Sequence, residues 1–150
     1  MLQIAVCDDE RDVVEKIEFC INSYCNDNAV SFHITKFYDG EELIKGKQKF
    51  DLIFLDIEMK KLGGIETAKL IRDFDMNVPI VYITSHRDLW KRAYKVHAFE
   101  FILKPFYQSD IYDVMNDFIS SKHDMNIRMI VFETKDGLIS QNINEICYDL

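Results

Sequence analysis

Asp51-Leu52-Ile53-Phe54-Leu55-Asp56 sets four consecutive apolar residues between two acids, and the reading of this stretch decides the fold. A run of this length suits a strand and is far too short to cross a bilayer. Because it lacks polar alternation, such a strand is buried on both faces, as in a parallel sheet covered by helices. Similar runs recur at Leu2–Cys7, Ser31–Phe37, Pro79–Thr84 and Phe99–Leu103, alongside Asp51–Leu55 itself. Between them the period becomes helical. Val13, Ile17, Cys20, Ile21 and Tyr24 share one face, with Asp12, Glu15 and Asn22 off it, so Glu10–Asn26 is expected as the first helix. Further helices are expected at Gly40–Lys47, Ile65–Phe74, Asp88–Lys95 and Gln108–Ser120, the last stitched by Ile111, Val114, Met115 and Phe118. Short apolar strands alternating with crossover helices describe a (βα)5 chain, folded as a three-layer α/β sandwich around a doubly wound parallel sheet.

The whole chain has 150 residues, enough for one domain of about 100–150 residues and a remainder. Its 48% hydrophobic and 29% charged residues are those of a globular protein rather than a disordered one. A formal charge of -8 argues against a broad nucleic-acid-binding face, which needs clustered Lys and Arg. The opening MLQIAVCDDE has no cationic stretch leading into a long apolar one, so neither leader nor membrane anchor is expected and the cytoplasm is the expected location. Cys7, Cys20, Cys25 and Cys147 form no CxxC pair and read as buried or idle thiols. After Lys122 the pattern changes. Ser120–Asn126 reads as a linker, Arg128–Glu133 as a strand, Lys135-Asp136-Gly137 as a hairpin turn, and Leu138–Ile143 and Glu145–Tyr148 as further strand-like pieces. Residues 1–122 are therefore expected as one domain, and 123–150 as the truncated, β-rich start of another.

Chemistry concentrates where strands end, because in a doubly wound sheet the carboxyl ends form the ligand crevice. The first strand runs into Asp8-Asp9, the third into Asp56, the fourth into Thr84-Ser85 and the fifth into Lys104-Pro105. Three carboxylates brought together there repel one another unless a cation sits among them. Oxygen donors without His or Cys suit Mg2+.

Asp8-Asp9, Phe54-Leu55-Asp56-Ile57-Glu58-Met59 with Gly64 downstream, Thr84-Ser85 and Phe101-Ile102-Leu103-Lys104-Pro105 together resemble the receiver domain of bacterial two-component response regulators. The resemblance spans roughly residues 1–122 and implies a flavodoxin-like sheet of strand order 2-1-3-4-5. It implies that Asp56 takes a phosphoryl group from a sensor histidine kinase, so that the chain is a signalling phosphoacceptor rather than a turnover enzyme. It further implies that Asp9, Asp56 and the backbone carbonyl of Glu58 ligate Mg2+, with Asp8 acting through water. Thr84 and Lys104 would contact phosphoryl oxygens, and the Lys104-Pro105 peptide would be cis. A swing of Thr84 towards the phosphate would open space that Phe101 fills, biasing the face made by helix four, strand five and helix five. Glu58 and His86 would flank the site and set how fast water removes the group. Where this chain has Lys60 the family often has proline, a departure that would loosen the loop after Asp56.

Asp56-Ile57-Glu58-Met59, Thr84-Ser85-His86 and Val96-His97-Ala98-Phe99-Glu100-Phe101 are similar to receivers that precede LytTR-type DNA-binding domains. Ile130–Phe132, Thr134, Lys135-Asp136-Gly137 and Glu145-Ile146 resemble the first strands of such a domain. DNA contact by the parent regulator would then need the missing part, and homodimerisation through the switch face is a further expectation. Other readings stand beside these. Asp8-Asp9 could simply cap the first helix, Thr84 could be an ordinary strand residue and Phe101 plain core. His33, His97 and His123 have no evident partners. A phosphatase could also begin from a strand-end aspartate, although such enzymes commonly carry a second aspartate where Glu58 stands. A receiver that only binds partners is the remaining alternative.

Overall fold

The computed structural model describes residues 1–135, and the side chains of residues 1–123. The elements are β1 (Leu2–Cys7), α1 (Arg11–Asp27), β2 (Phe32–Phe37), α2 (Gly40–Lys45), β3 (Leu52–Asp56), α3 (Gly64–Phe74), β4 (Ile80–Thr84), α4 (Trp90–Lys95), β5 (Glu100–Leu103) and α5 (Gln108–Lys135). All strand pairs are parallel. The order is β2-β1-β3-β4-β5, the expected doubly wound, flavodoxin-like arrangement. β3 and β4 are buried at every position, which explains why their sequences show no alternation.

Alternation within the strands decides which layer each side chain joins. Ala5, Cys7, Ile53, Leu55, Ile80 and Tyr82 point to one side and pack in a cluster with Leu43 of α2, Ile65, Ala68 and Ile71 of α3, and Ala93 of α4. Ile4, Val6, Leu52, Phe54, Val81 and Ile83, buried as well, take the opposite side of the pleat. Each such aliphatic side chain contributes roughly 1.5–3 kcal/mol on leaving water. On α1, Val14, Ile17, Ile21 and Tyr24 are buried. Val13, expected on that face, lies at its half-buried margin.

The described chain divides between Tyr112 and Asp113 into two units. The second begins inside α5, whose Val114, Met115 and Phe118 are buried. One expectation for this region is corrected: Arg128–Glu133, read as a strand, belongs to α5, and Ser120–Asn126, expected as a linker, is helical. No Gly or Pro occurs between Pro105 and Gly137, so nothing interrupts the helical hydrogen-bond ladder once Gln108 has started it. The apolar run that looked like a strand has no neighbouring strand to pair with among the described residues. The expected hairpin and the strand-like pieces that follow it fall on residues 136–150, outside the described residues. The helix expected at Asp88–Lys95 is a 3-10 turn, Arg87–Leu89, followed by the short α4.

Candidate functional site

Register carries the site residues to one edge of the sheet. Cys7 of β1 pairs with Leu55 of β3, so Asp8 and Asp56 leave the sheet side by side. Asp56 in turn pairs with Ile83 of β4, which puts Thr84 one step beyond it. Thr84 pairs with Leu103 of β5, and Lys104 follows directly. The Lys104 N–H also donates to the Thr84 carbonyl at 2.8 Å, tying these two strand ends together. The Lys104-Pro105 peptide is cis.

Behind Asp56 the chain turns tightly into α3. A Cβ on Gly64 would sit 2.1 Å from the Asp56 carbonyl oxygen, closer than any side chain tolerates. Glycine therefore lets the start of α3 back onto the end of β3. The Gly64 N–H donates to the Ile57 carbonyl at 2.7 Å and closes the turn. Lys60, which departs from the family's proline, donates its N–H to Asp9 at 3.3 Å. A proline could not make that bond, so the expected loosening of this loop is offset by a tether onto the acid cluster.

Carboxylate oxygens of Asp8, Asp9 and Asp56 lie within 4.8 Å of one another. Asp8 and Asp56 are 1% and 4% exposed, while Asp9 is half-buried. The Lys104 ammonium reaches Asp8 at 2.9 Å and Asp56 at 3.5 Å. Burial, and next the charge of Asp8, push the Asp56 carboxyl up to about 7, against the pull of Lys104 and of the Glu58 N–H. Asp8 is also raised although it holds an ion pair. Burial there outweighs the hydrogen bonds from the Glu10 N–H and from Lys104. Lys104 is raised too, since burial opposes its charge but the Asp8 bond and the neighbouring carboxylates overcome it. A single ammonium serves several acids, so its charge is stabilised while that of each buried acid is not. This is the condition in which a second cation is favoured. A cluster of oxygen donors alone, partly opened to water through Asp9, fits a hard divalent ion.

The remaining expected residues surround this centre. Thr84, 1% exposed, accepts the His86 N–H through Oγ1 at 3.2 Å. Glu58 places its carboxylate 2.9 Å from His86 Nε2, bridging the loops after β3 and β4. An open cleft of about 580 Å³ is lined by Asp9, Glu10, Glu58, Met59 and Lys60. Phe101 stands opposite Tyr82 in the sheet register and packs, half-buried, against the core. Sequence reasoning did not find the Asp8–Lys104 ion pair. Nor did it find Lys16, whose ammonium bonds the Phe106 carbonyl just past Lys104. A lone lysine on an exposed helical face gives no signal of such a contact.

A doubly wound α/β domain with a buried acid cluster and a lysine at its carboxyl edge is the class that fold and site define. The family model for the response regulator receiver domain matches residues 4–116, and the chain belongs to that family. Among relatives, the transcriptional regulatory protein NatR of Bacillus subtilis is 25% identical over 94% of this chain and 60% of its own length. Protein MrkE of Klebsiella pneumoniae is 28% identical over 83% of this chain and 46% of its own. The chain thus spans about half the length of the curated relatives it matches. The crystal structure of the MrkE response regulatory domain superposes with a TM-score of 0.71 at 28% identity, covering 80% of this chain and 97% of that one. The receiver domain of sensor histidine kinase PA1611 from Pseudomonas aeruginosa, solved with magnesium in its active-site cleft, shares the fold at a TM-score of 0.68 and 19% identity, covering 79% and 98%.

Proposed function

We propose that this receiver accepts a phosphoryl group on Asp56 from a sensor histidine kinase, in a reaction that requires Mg2+. The observation that carries the reading is the packing of Asp8, Asp9 and Asp56 within 4.8 Å, with Lys104 beside them. Phosphoryl transfer needs in-line placement and charge neutralisation more than covalent help from the protein. A carboxylate oxygen of Asp56 forms the new P–O bond as the bond from phosphorus to the donor nitrogen breaks, the electron pair leaving with the imidazole. Lys104 holds one phosphoryl oxygen, and Thr84 donates its hydroxyl proton to another. Asp9, Asp56 and the Glu58 backbone carbonyl would hold Mg2+, with Asp8 reaching it through water. The ion would supply charge neutralisation at the transferring group. Magnesium in the cleft of the Pseudomonas receiver supports the choice of ion.

In the same reading, Thr84 moves towards the bound phosphoryl group and Phe101 fills the space it leaves. The α4–β5–α5 face then changes shape, as a regulator or a homodimer contact requires. Glu58 and His86, joined across the cleft mouth, govern water access and so the lifetime of the phosphoryl group. Unchanged lifetime on replacing Glu58 would refute that role. The parent protein controls transcription through a LytTR-type DNA-binding domain, to which residues 123–150 lead from a receiver ending near residue 122. The span of this chain over only 60% of NatR supports a longer parent. Among the described residues no helix is long and apolar enough to cross a membrane.

Intact mass before and after acetyl phosphate with Mg2+ tests the central claim. One added phosphate is expected for the wild type and none for Asp56→Asn. Continuous release of inorganic phosphate over many turnovers would instead indicate a phosphatase.

A further inference from the structure

We propose that Lys16 is a positioning residue for phosphoryl transfer, holding the Lys104 ammonium in register with the acid cluster by clamping the chain just beyond it. The inference rests on the role given to Lys104 above. Lys16 lies on α1 and belongs to none of the acidic or strand-end motifs. Its ammonium donates to the Phe106 carbonyl and also sits 4.3 Å from the centre of the Phe106 ring. Two independent attractions, a charge-assisted hydrogen bond and a cation–π contact, therefore converge on one residue. Phe106 is itself buried at 3% exposure, so the residue that Lys16 grips is fixed in the core.

Phe106 is two residues from Lys104, and on the other side the Lys104 N–H is bonded to Thr84. The lysine is thus carried on a short segment pinned at both ends, by β4 before it and by α1 after it. α1 is also the helix that Asp8 and Asp9 lead into, with the Glu10 N–H bonded to Asp8. Through Lys16 the same helix connects the acids of β1 to the loop that carries their ammonium partner. Without that clamp the segment from Lys104 to Phe106 loses its tie to α1, although Tyr107 stays bonded to Asp110 at the start of α5, and the ammonium samples positions off the 2.9 Å and 3.5 Å contacts it now makes. Displacement of a reacting-centre group by about 1 Å costs up to roughly a hundredfold in rate, and a partial loosening should cost about tenfold.

The test is a double-mutant cycle on the full chain, reading the rate of phosphorylation by acetyl phosphate in saturating Mg2+ by intact mass. Lys16→Met keeps the aliphatic stem and should slow the reaction about tenfold. Lys16→Arg, which can still bond the carbonyl and cover the ring, should recover most of the rate. In a Lys104→Ala background the Lys16→Met change should have no further effect. A wild-type rate for Lys16→Met, or an equal loss whether or not Lys104 is present, would overturn the inference. If Lys104→Ala alone leaves the rate intact, the role of Lys104 fails first and this one fails with it, a result distinct from either of the others.

Discussion

At the scale of single residues, the electrostatics are set by how little water reaches Asp8 and Asp56. Asp56 ionises with difficulty because it is buried and faces Asp8, and its carboxyl is raised from 3.8 to about 7. In metal-free protein the folded state then holds this proton more tightly than the unfolded chain does. The stability from that proton is complete below about pH 4 and lost as pH rises through about 7. Asp56→Asn removes the charge, so it should raise the thermal midpoint of EDTA-treated protein at pH 8, by on the order of 2–4 kcal/mol in stability. The difference should close towards pH 4. Thermal scans across that range check it, and a pH-independent difference would count against burial as the cause. Gly64→Ala should destabilise by on the order of 1–3 kcal/mol, because the new methyl group meets the Asp56 carbonyl. Urea melts measure the loss, and an unchanged midpoint would show that the α3 start can retreat at no cost.

At the scale of elements, the proposed switch would act through α4. α4 is short and follows a 3-10 turn, and its C-terminal end is held from outside by Arg72 of α3. The Arg72 guanidinium donates to the carbonyls of Val96, Asp75, Val78 and His97, at 3.1, 3.2, 2.8 and 2.9 Å. Hydrogen bonds from a charged group contribute about 1.5–3 kcal/mol each when buried, less where water competes. Arg72→Met is expected to speed amide exchange in α4 and in the turn at His97 well above that in β1 and β3, as read by hydrogen–deuterium exchange. Uniform acceleration through the domain would instead mean that Arg72 serves global stability alone. Trp90, the chain's single tryptophan, is 52% exposed at the start of α4. Its fluorescence should therefore change on treatment with acetyl phosphate and Mg2+ in the wild type and stay constant in Asp56→Asn, if the α4 face responds to phosphorylation.

For the molecule as a whole, the proposed Mg2+ site would link ion binding to folding. An ion held by the native cluster and not by the unfolded chain stabilises the fold by about 2.7 kcal/mol at a hundred times its dissociation constant. Mg2+ should accordingly raise the thermal midpoint, EDTA should reverse the rise, and Asp9→Asn should blunt it. A midpoint indifferent to Mg2+ would remove the cation from the proposed function.

The order and type of the elements through β5 were legible along the chain, because unbroken runs such as Leu52–Leu55 have one stable environment, between two helical layers. The acids and Lys104 were legible for a related reason: in a parallel sheet every strand ends at the same edge, so residues that end strands become neighbours. The region after Lys122 was misread at Arg128–Glu133, since a short apolar run has no period of its own and takes the structure its context allows. What only the tertiary structure decided were the contacts between residues distant in sequence. Lys104 found Asp8, Lys60 offered its N–H to Asp9, and Lys16 reached the Phe106 carbonyl. Local periodicity states which face a residue occupies, whereas the partner it meets there depends on how separate elements close upon one another, and that is a property of the packed chain alone.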